Sequence, residues 1–223
     1  MKIGEDIIAM DVVKGAIAGI ASQIPYVGAF AQAVESVRGN VLQRRYKQWQ
    51  ELVEDRLTRL EDKLIQSLGD NDSFATALLK ATELAAQTST IKSVYLANAV
   101  KYAAEHEISE DDLIMLFNAI AKYTTTHIEI LLYLQNPSAL NTANEQFMSG
   151  GFMTFFEKQH PSFNRQREAL ILRELYQDGF TNTDSDGTMS YSGMIAKRTT
   201  DFGDLFLSFY GVKQAKNEQG NER

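Results

Sequence analysis

The chain has 223 residues, 44% of them hydrophobic and 23% charged, with a formal net charge of −7 and no cysteine. A chain of this length buries a sizeable core, and its composition fits neither an intrinsically disordered chain nor a multi-span membrane protein. The missing thiols exclude disulfides, thiolate zinc sites and a cysteine nucleophile. The acidic balance works against generic attraction to phosphate backbones or anionic lipid, so nucleic acid is not an expected partner.

At the N-terminus, Glu5 and Asp6 follow a single lysine, and no signal-peptide cleavage site closes the apolar run that comes next. Export by that route is not expected, which points to the cytoplasm. Residues 15–34, GAIAGIASQIPYVGAFAQAV, carry no charge; six alanines and three glycines make small residues dominant. A straight helix of that length would rise about 30 Å, enough to cross hydrocarbon. Pro25 interrupts it, however, so the stretch reads as a helical hairpin. Gly15, Gly19 and Gly28 allow close backbone approach, while Ile17, Ile20 and Phe30 supply the apolar bulk. Two readings stand for this hairpin. It packs in the core, or it is a conditional membrane-insertion or re-entrant hairpin, released when the surrounding helices open, in a protein that is then peripheral to the inner membrane.

From Glu35 the character changes to a charged amphipathic helix predicted to reach Leu68. Leu42, Tyr46, Trp49, Val53, Leu57, Leu60, Leu64 and Leu68 recur at spacings of three and four and form one stripe. Gly69 and the polar run after it stop the helix. Arg44, Arg45 and Lys47 beside Trp49 read as a solvated face, since Glu51, Glu54 and Asp55 follow directly.

The middle of the chain predicts four shorter helices. The first is alanine-rich, Phe74 to Ala86. Ser89 or Thr90 caps the second, whose expected apolar positions are Ile91, Val94, Tyr95, Ala99 and Tyr102. Ser109 with Glu110, Asp111 and Asp112 opens the third, which buries Leu113, Leu116, Phe117 and Ile120. One of Thr124, Thr125 and Thr126 starts the fourth, carrying Ile128, Ile130, Leu131 and Leu134 until Asn136-Pro137 stops it.

After a looser stretch, 137–144, Arg165 to Asp178 reads as a helix with Gly179 as its stop. Met189-Ser190-Tyr191 and Met194-Ile195-Ala196 flank Gly193 as the strands of a short hairpin. Thr199 or Thr200 then caps a last helix, Asp201 to Tyr210. Helix, hairpin and closing helix together predict a winged-helix-like unit. The expected fold is therefore mainly α: a helical bundle with a long amphipathic N-terminal helix and a small C-terminal winged-helix-like unit containing a short β-hairpin. Its parts are residues 1–72, 73–136 and 137–212, with 213–223 as a mobile polar tail.

No catalytic or metal constellation stands out. Asn182, Asp184 and Asp186 before Gly187 open like a calcium loop, but position twelve is Gly193, where a bidentate glutamate is needed. His106, His127 and His160 lie far apart, and no phosphate-binding, dinucleotide or nucleophile-elbow motif is present. A non-enzymatic chain without metal or cofactor is expected. The alternative, a dimeric DNA-binding regulator, places Arg165, Arg167 and Arg173 on a recognition helix, with Lys197 and Arg198 on the wing. Glu168, Glu174 and Asp178 on the same helix oppose it.

The segments AAQTSTIKSVYLANAVKYAAE, ISEDDLIMLFNAIAKYTTTHIEILLYLQNP, REALILRELYQDGF and TDFGDLFLSFY occur in that order after a Gly/Ala-rich hydrophobic segment and a charged helix. This order resembles the abortive-infection alpha type of bacterial proteins across roughly Phe74 to Tyr210. The resemblance implies a bacterial or phage-related, non-enzymatic helical protein linked to phage defence, and it carries no catalytic residues over. The leading expectation is thus a helical interaction protein acting through a protein partner or self-association, with conditional membrane contact. A purely structural oligomeric module is the third reading.

Overall fold

The computed structural model describes residues 39–60, 68, 71–88, 90–140, 149–151, 153, 164–183 and 188–212. They are mainly helical: α1 (Gly39–Leu57), α2 (Asp72–Gln87), α3 (Thr90–Glu105), α4 (Glu110–Lys122), α5 (Thr125–Gln135), α6 (Pro137–Leu140), α7 (Arg165–Gln177), α8 (Tyr191–Met194) and α9 (Asp201–Tyr210). Ser149–Gly151 (β1) and Thr188–Ser190 (β2) form an antiparallel pair, with Gly150 opposite Met189. The described residues divide into two compact units. The first runs to Lys122 and includes Phe209–Gly211; the second holds the remainder from Tyr123. The division falls between α4 and α5, whereas the sequence placed the end of the bundle after residue 136.

In the first unit, α3 packs against both α1 and α2, and α2 also packs on α4. Of the stripe read from the sequence, Trp49, Val53, Leu57, Leu60 and Leu68 are buried and Tyr46 is half-buried. Trp49 Nε1 donates to Thr82 Oγ1 at 3.1 Å, and that hydroxyl donates to Leu78 O at 2.7 Å, so the one polar atom of the indole is satisfied in the core. The helix itself ends earlier than the stripe suggested. After Leu57 the chain turns, with Leu60 N–H on Leu57 O, while the Thr58 hydroxyl bonds back to Glu54 O. A hydroxyl that returns to its own backbone competes with helix propagation.

Helix α3 also differs from expectation in which face it buries. Leu96, Ala97, Ala99, Val100, Ala103 and Ala104 are inside, whereas Ile91 is exposed. The physical reason is crowding: a helix with neighbours on two sides needs small residues on both, and the alanines provide them. Helix α4 follows its pattern. Ser109 Oγ accepts from Asp112 N–H and donates to Asp112 Oδ2, closing the N-terminal turn, and Leu113, Leu116, Phe117 and Ile120 are buried. At its other end Lys92 Nζ donates to the carbonyls of Ile120 and Ala121, both at 3.0 Å. Those carbonyls have no partner further along the helix, and the ammonium supplies one. Burial lowers the Lys92 pKa.

The second unit is built on α5, α7 and α9. Helix α5 buries Ile128, Ile130, Leu131 and Leu134 as its sequence indicated, and α7 buries Ile171, Leu172 and Leu175. Tyr123, Phe180 and Phe206 form the aromatic centre, with ring centroids 5.1–5.8 Å apart and edge-to-face angles. Gly179 stops α7 as predicted. With φ +79°, it lets Phe180 N–H reach Leu175 O at 2.9 Å while its own N–H reaches Tyr176 O at 3.1 Å. A Cβ there meets nothing within 4 Å, so Gly179→Ala isolates the backbone cost. Thermal or denaturant unfolding should report a loss of about 1–2 kcal/mol.

The predicted wing is not formed. Residues 188–190 pair with 149–151, and Tyr191–Met194 closes into a helical turn where the hairpin should begin. Ser190 Oγ accepts Gly193 N–H, which ends the strand locally. The side-chain cap draws the backbone into a turn that a two-residue hairpin loop would have to displace. Asp184, Asp186 and Gly187 of the calcium-like loop fall outside the described residues. So do residues 15–34, including Gly15, Ile17, Gly19, Ile20, Pro25, Gly28 and Phe30, and the polar tail from 213.

Candidate functional site

Two pairs of polar residues, each spaced by four, come together where α5 meets α7. Tyr123 precedes α5 and His127 lies on its first turn; Glu174 and Asp178 occupy the end of α7. A spacing of four places each pair on one side of a helical turn. The Tyr123 hydroxyl donates to Asp178 Oδ2 at 2.6 Å, and its ring stacks on that of His127 with centroids 4.7 Å apart. His127 Nδ1 accepts Thr124 N–H at 3.2 Å and lies 2.9 Å from Thr124 Oγ1, so the ring hydrogen resides on Nε2, which donates to Glu174 Oε2 at 2.9 Å.

This cluster resembles acid–base machinery in its residue types, but its bonding is turned inward. Burial first, then the hydrogen bond to Asp178 and the charges of Asp178 and Glu174, push the Tyr123 phenol far above its ordinary range, so it stays protonated. His127 is buried with both ring nitrogens engaged. The arrangement caps α5 and fastens it to α7. Sequence reading passed over the cluster because a lone histidine on an apolar helix carries no pattern by itself. The available signal was the repeat of the four-residue spacing on two helices.

Of the residues considered for nucleic-acid contact, Arg167, Lys197 and Arg198 make bonds within the unit. Arg167 Nη2 donates to Thr126 Oγ1 at 2.7 Å. Lys197 pairs with Asp204, and Arg198 donates to Thr183 Oγ1 at 2.8 Å and to Gly193 O. Arg165 and Arg173 are exposed on α7. The two predicted wing residues therefore work inside the unit.

Asp204 is the acceptor that organises that part of the unit. It receives Lys197 Nζ, Thr199 Oγ1 at 2.7 Å and Gln135 Nε2 at 3.1 Å. Burial alone would raise its pKa, but those three hydrogen bonds and the Lys197 charge outweigh it, and the net shift is downward from 3.8. A carboxylate with a lowered folded pKa contributes stability that is present above its unfolded value and is lost as pH falls through the folded one. Asp204→Asn should therefore be less stable than the parent by about 1–3 kcal/mol at neutral pH. The gap should hold constant down to the ordinary aspartate range and narrow below pH 3.8. Urea titrations across that range check both the size and the sign.

What α7 presents outward is different in kind. Leu170 is 55% exposed and Tyr176 45% exposed, on either flank of Arg173, with Gln166 and Gln177 on the same side. Two of the helix's acidic groups, Glu174 and Asp178, are held by His127 and Tyr123, and the third, Glu168, is half-buried, so the outward face carries two large apolar groups around a cation. Apolar groups at this exposure, ringed by polar ones, are the usual make-up of a protein contact surface.

Among the described residues, no group of His, Asp or Glu is placed to hold a metal ion, and no helix is long and apolar enough to cross a membrane. Comparison with family models, with curated proteins and with solved structures finds no match for the chain.

Proposed function

We propose that this chain is a non-catalytic helical association protein whose partner-binding surface is the outward face of α7. The observation that supports the reading is the paired exposure of Leu170 and Tyr176 around Arg173, on a helix whose Glu174 and Asp178 are spent on internal bonds. Aromatic, apolar and arginine side chains are the types that dominate binding energy at protein interfaces. The setting belonging to this proposal is the bacterial phage-defence or toxicity context implied by the resemblance. Contact of residues 15–34 with the inner membrane is its conditional extension, and flotation of the intact protein with liposomes tests that part.

A photo-crosslinking amino acid at position 176 tests the main reading in cells. A discrete adduct is expected from that position, lost when Leu170→Asp is added. Equal labelling with and without Leu170→Asp, or no adduct from 176, would remove the proposal.

A further inference from the structure

Helix α4 carries a second outward stripe, in the first unit. Asp111, Met115, Asn118 and Lys122 are spaced four, three and four apart and are all exposed, with Met115 at 50%. The opposite side of the helix is buried through Leu113, Leu116, Phe117 and Ile120, so the stripe faces away from the unit's core. Half-buried Ile114 and exposed Ala121 widen its apolar centre.

The order of chemistry along this stripe is self-complementary. It begins with an anion, ends with a cation and holds Met115 and Asn118 between them. We propose that α4 is an isologous dimer interface, on which the α4 of a second copy lies antiparallel. A two-fold axis between Met115 and Asn118 sets Asp111 against the second copy's Lys122, twice, and each Met115 against an Asn118. The 4-3-4 spacing is that of a coiled-coil seam, and antiparallel packing of such a seam pairs these positions. Parallel packing would set Asp111 on Asp111 and Lys122 on Lys122, so the charges select one orientation. The stripe on α7 does not share this property, because reversing it sets Leu170 against Arg173. The second copy is thus the occupant that the charge pattern of α4 fits, while α7 remains available to a different partner.

A single pair of 13-residue helices is about 20 Å long and makes a small interface, so association is at the weak end. Sedimentation equilibrium of the full chain, carried to about 1 mM, should show a monomer–dimer equilibrium that stops at the dimer. Met115→Asp should weaken it at least about tenfold. Asp111→Lys and Lys122→Asp should each weaken it by roughly two- to thirtyfold, because each places two like-charge contacts across the axis. Circular dichroism verifies that the variants keep their helices.

The decisive measurement is the mixture. Asp111→Lys protein and Lys122→Asp protein should prefer each other to themselves, since every end contact is then opposite in sign. A chain monomeric throughout, assembly beyond the dimer, an unchanged equilibrium for Met115→Asp, or no preference in the mixture would each overturn the proposal. None of these outcomes bears on crosslinking from position 176.

Discussion

Gly203→Ala is expected to destabilise the second unit by about 3 kcal/mol or more, the upper part of the range for overpacking. A Cβ at Gly203 would sit 2.2 Å from Phe180 O and 3.2 Å from Phe180 C. The obstacle is backbone, which cannot rotate aside as a side chain does. It is also fixed from other directions: Phe180 O accepts Thr200 N–H at 3.1 Å, and Phe180 N–H is held by Leu175 O. Thr200 Oγ1 accepts Gly203 N–H at 3.0 Å and donates to Gly179 O at 2.6 Å, so the first turn of α9 and the end of α7 are tied at the point where a methyl would intrude. Helix propensity alone predicts the opposite sign, because alanine is favoured over glycine in a helix. Denaturant unfolding therefore decides between a local propensity effect and the close approach, and a more stable variant would refute the close approach.

The second large effect is expected at Trp49. It is 2% exposed at the centre of the first unit, and Trp49→Ala should cost roughly 3–5 kcal/mol, the range for deleting a buried aromatic side chain. Thr82→Val separates the polar share from the volume share. It leaves Trp49 Nε1 without its acceptor and should cost about 1–3 kcal/mol. Trp49 is the only tryptophan, so the emission maximum follows the unfolding of Thr82→Val directly, while circular dichroism serves for Trp49→Ala. Equal losses in the two variants would mean that the hydrogen bond, not the packing, carries the contribution of this residue.

Read together, these two sites mark where sequence pattern succeeds and where it stops. Trp49 belongs to a stripe at spacings of three and four, and burial of such a stripe is a direct consequence of helical geometry. Gly203 sits in TDFGDLFLSFY as a weak helix former with no visible purpose, because what requires it is the Phe180 carbonyl, 23 positions earlier in the chain. The candidate surfaces divide in the same way. Arg165, Arg167, Arg173, Lys197 and Arg198 were visible as cations, but their availability depended on where Thr126, Asp204 and Thr183 were brought. Leu170 and Tyr176 looked like ordinary members of an amphipathic helix until burial of Ile171, Leu172 and Leu175 fixed which side faces out.

The sequence by itself determined the mainly helical class, the inward faces of α4 and α5, the Ser109 start and the Gly179 stop. All of these follow from contacts within four residues, where local geometry is decisive. Only the tertiary structure decided the end of α1 after Leu57, the double-sided burial of α3 and the pairing of Thr188–Ser190 with Ser149–Gly151 in place of a wing. It also made the inward-turned cluster of Tyr123, His127, Glu174 and Asp178. Each of these depends on partners tens of positions away, and a backbone or polar group takes the best-satisfied arrangement in three dimensions, which no local period encodes.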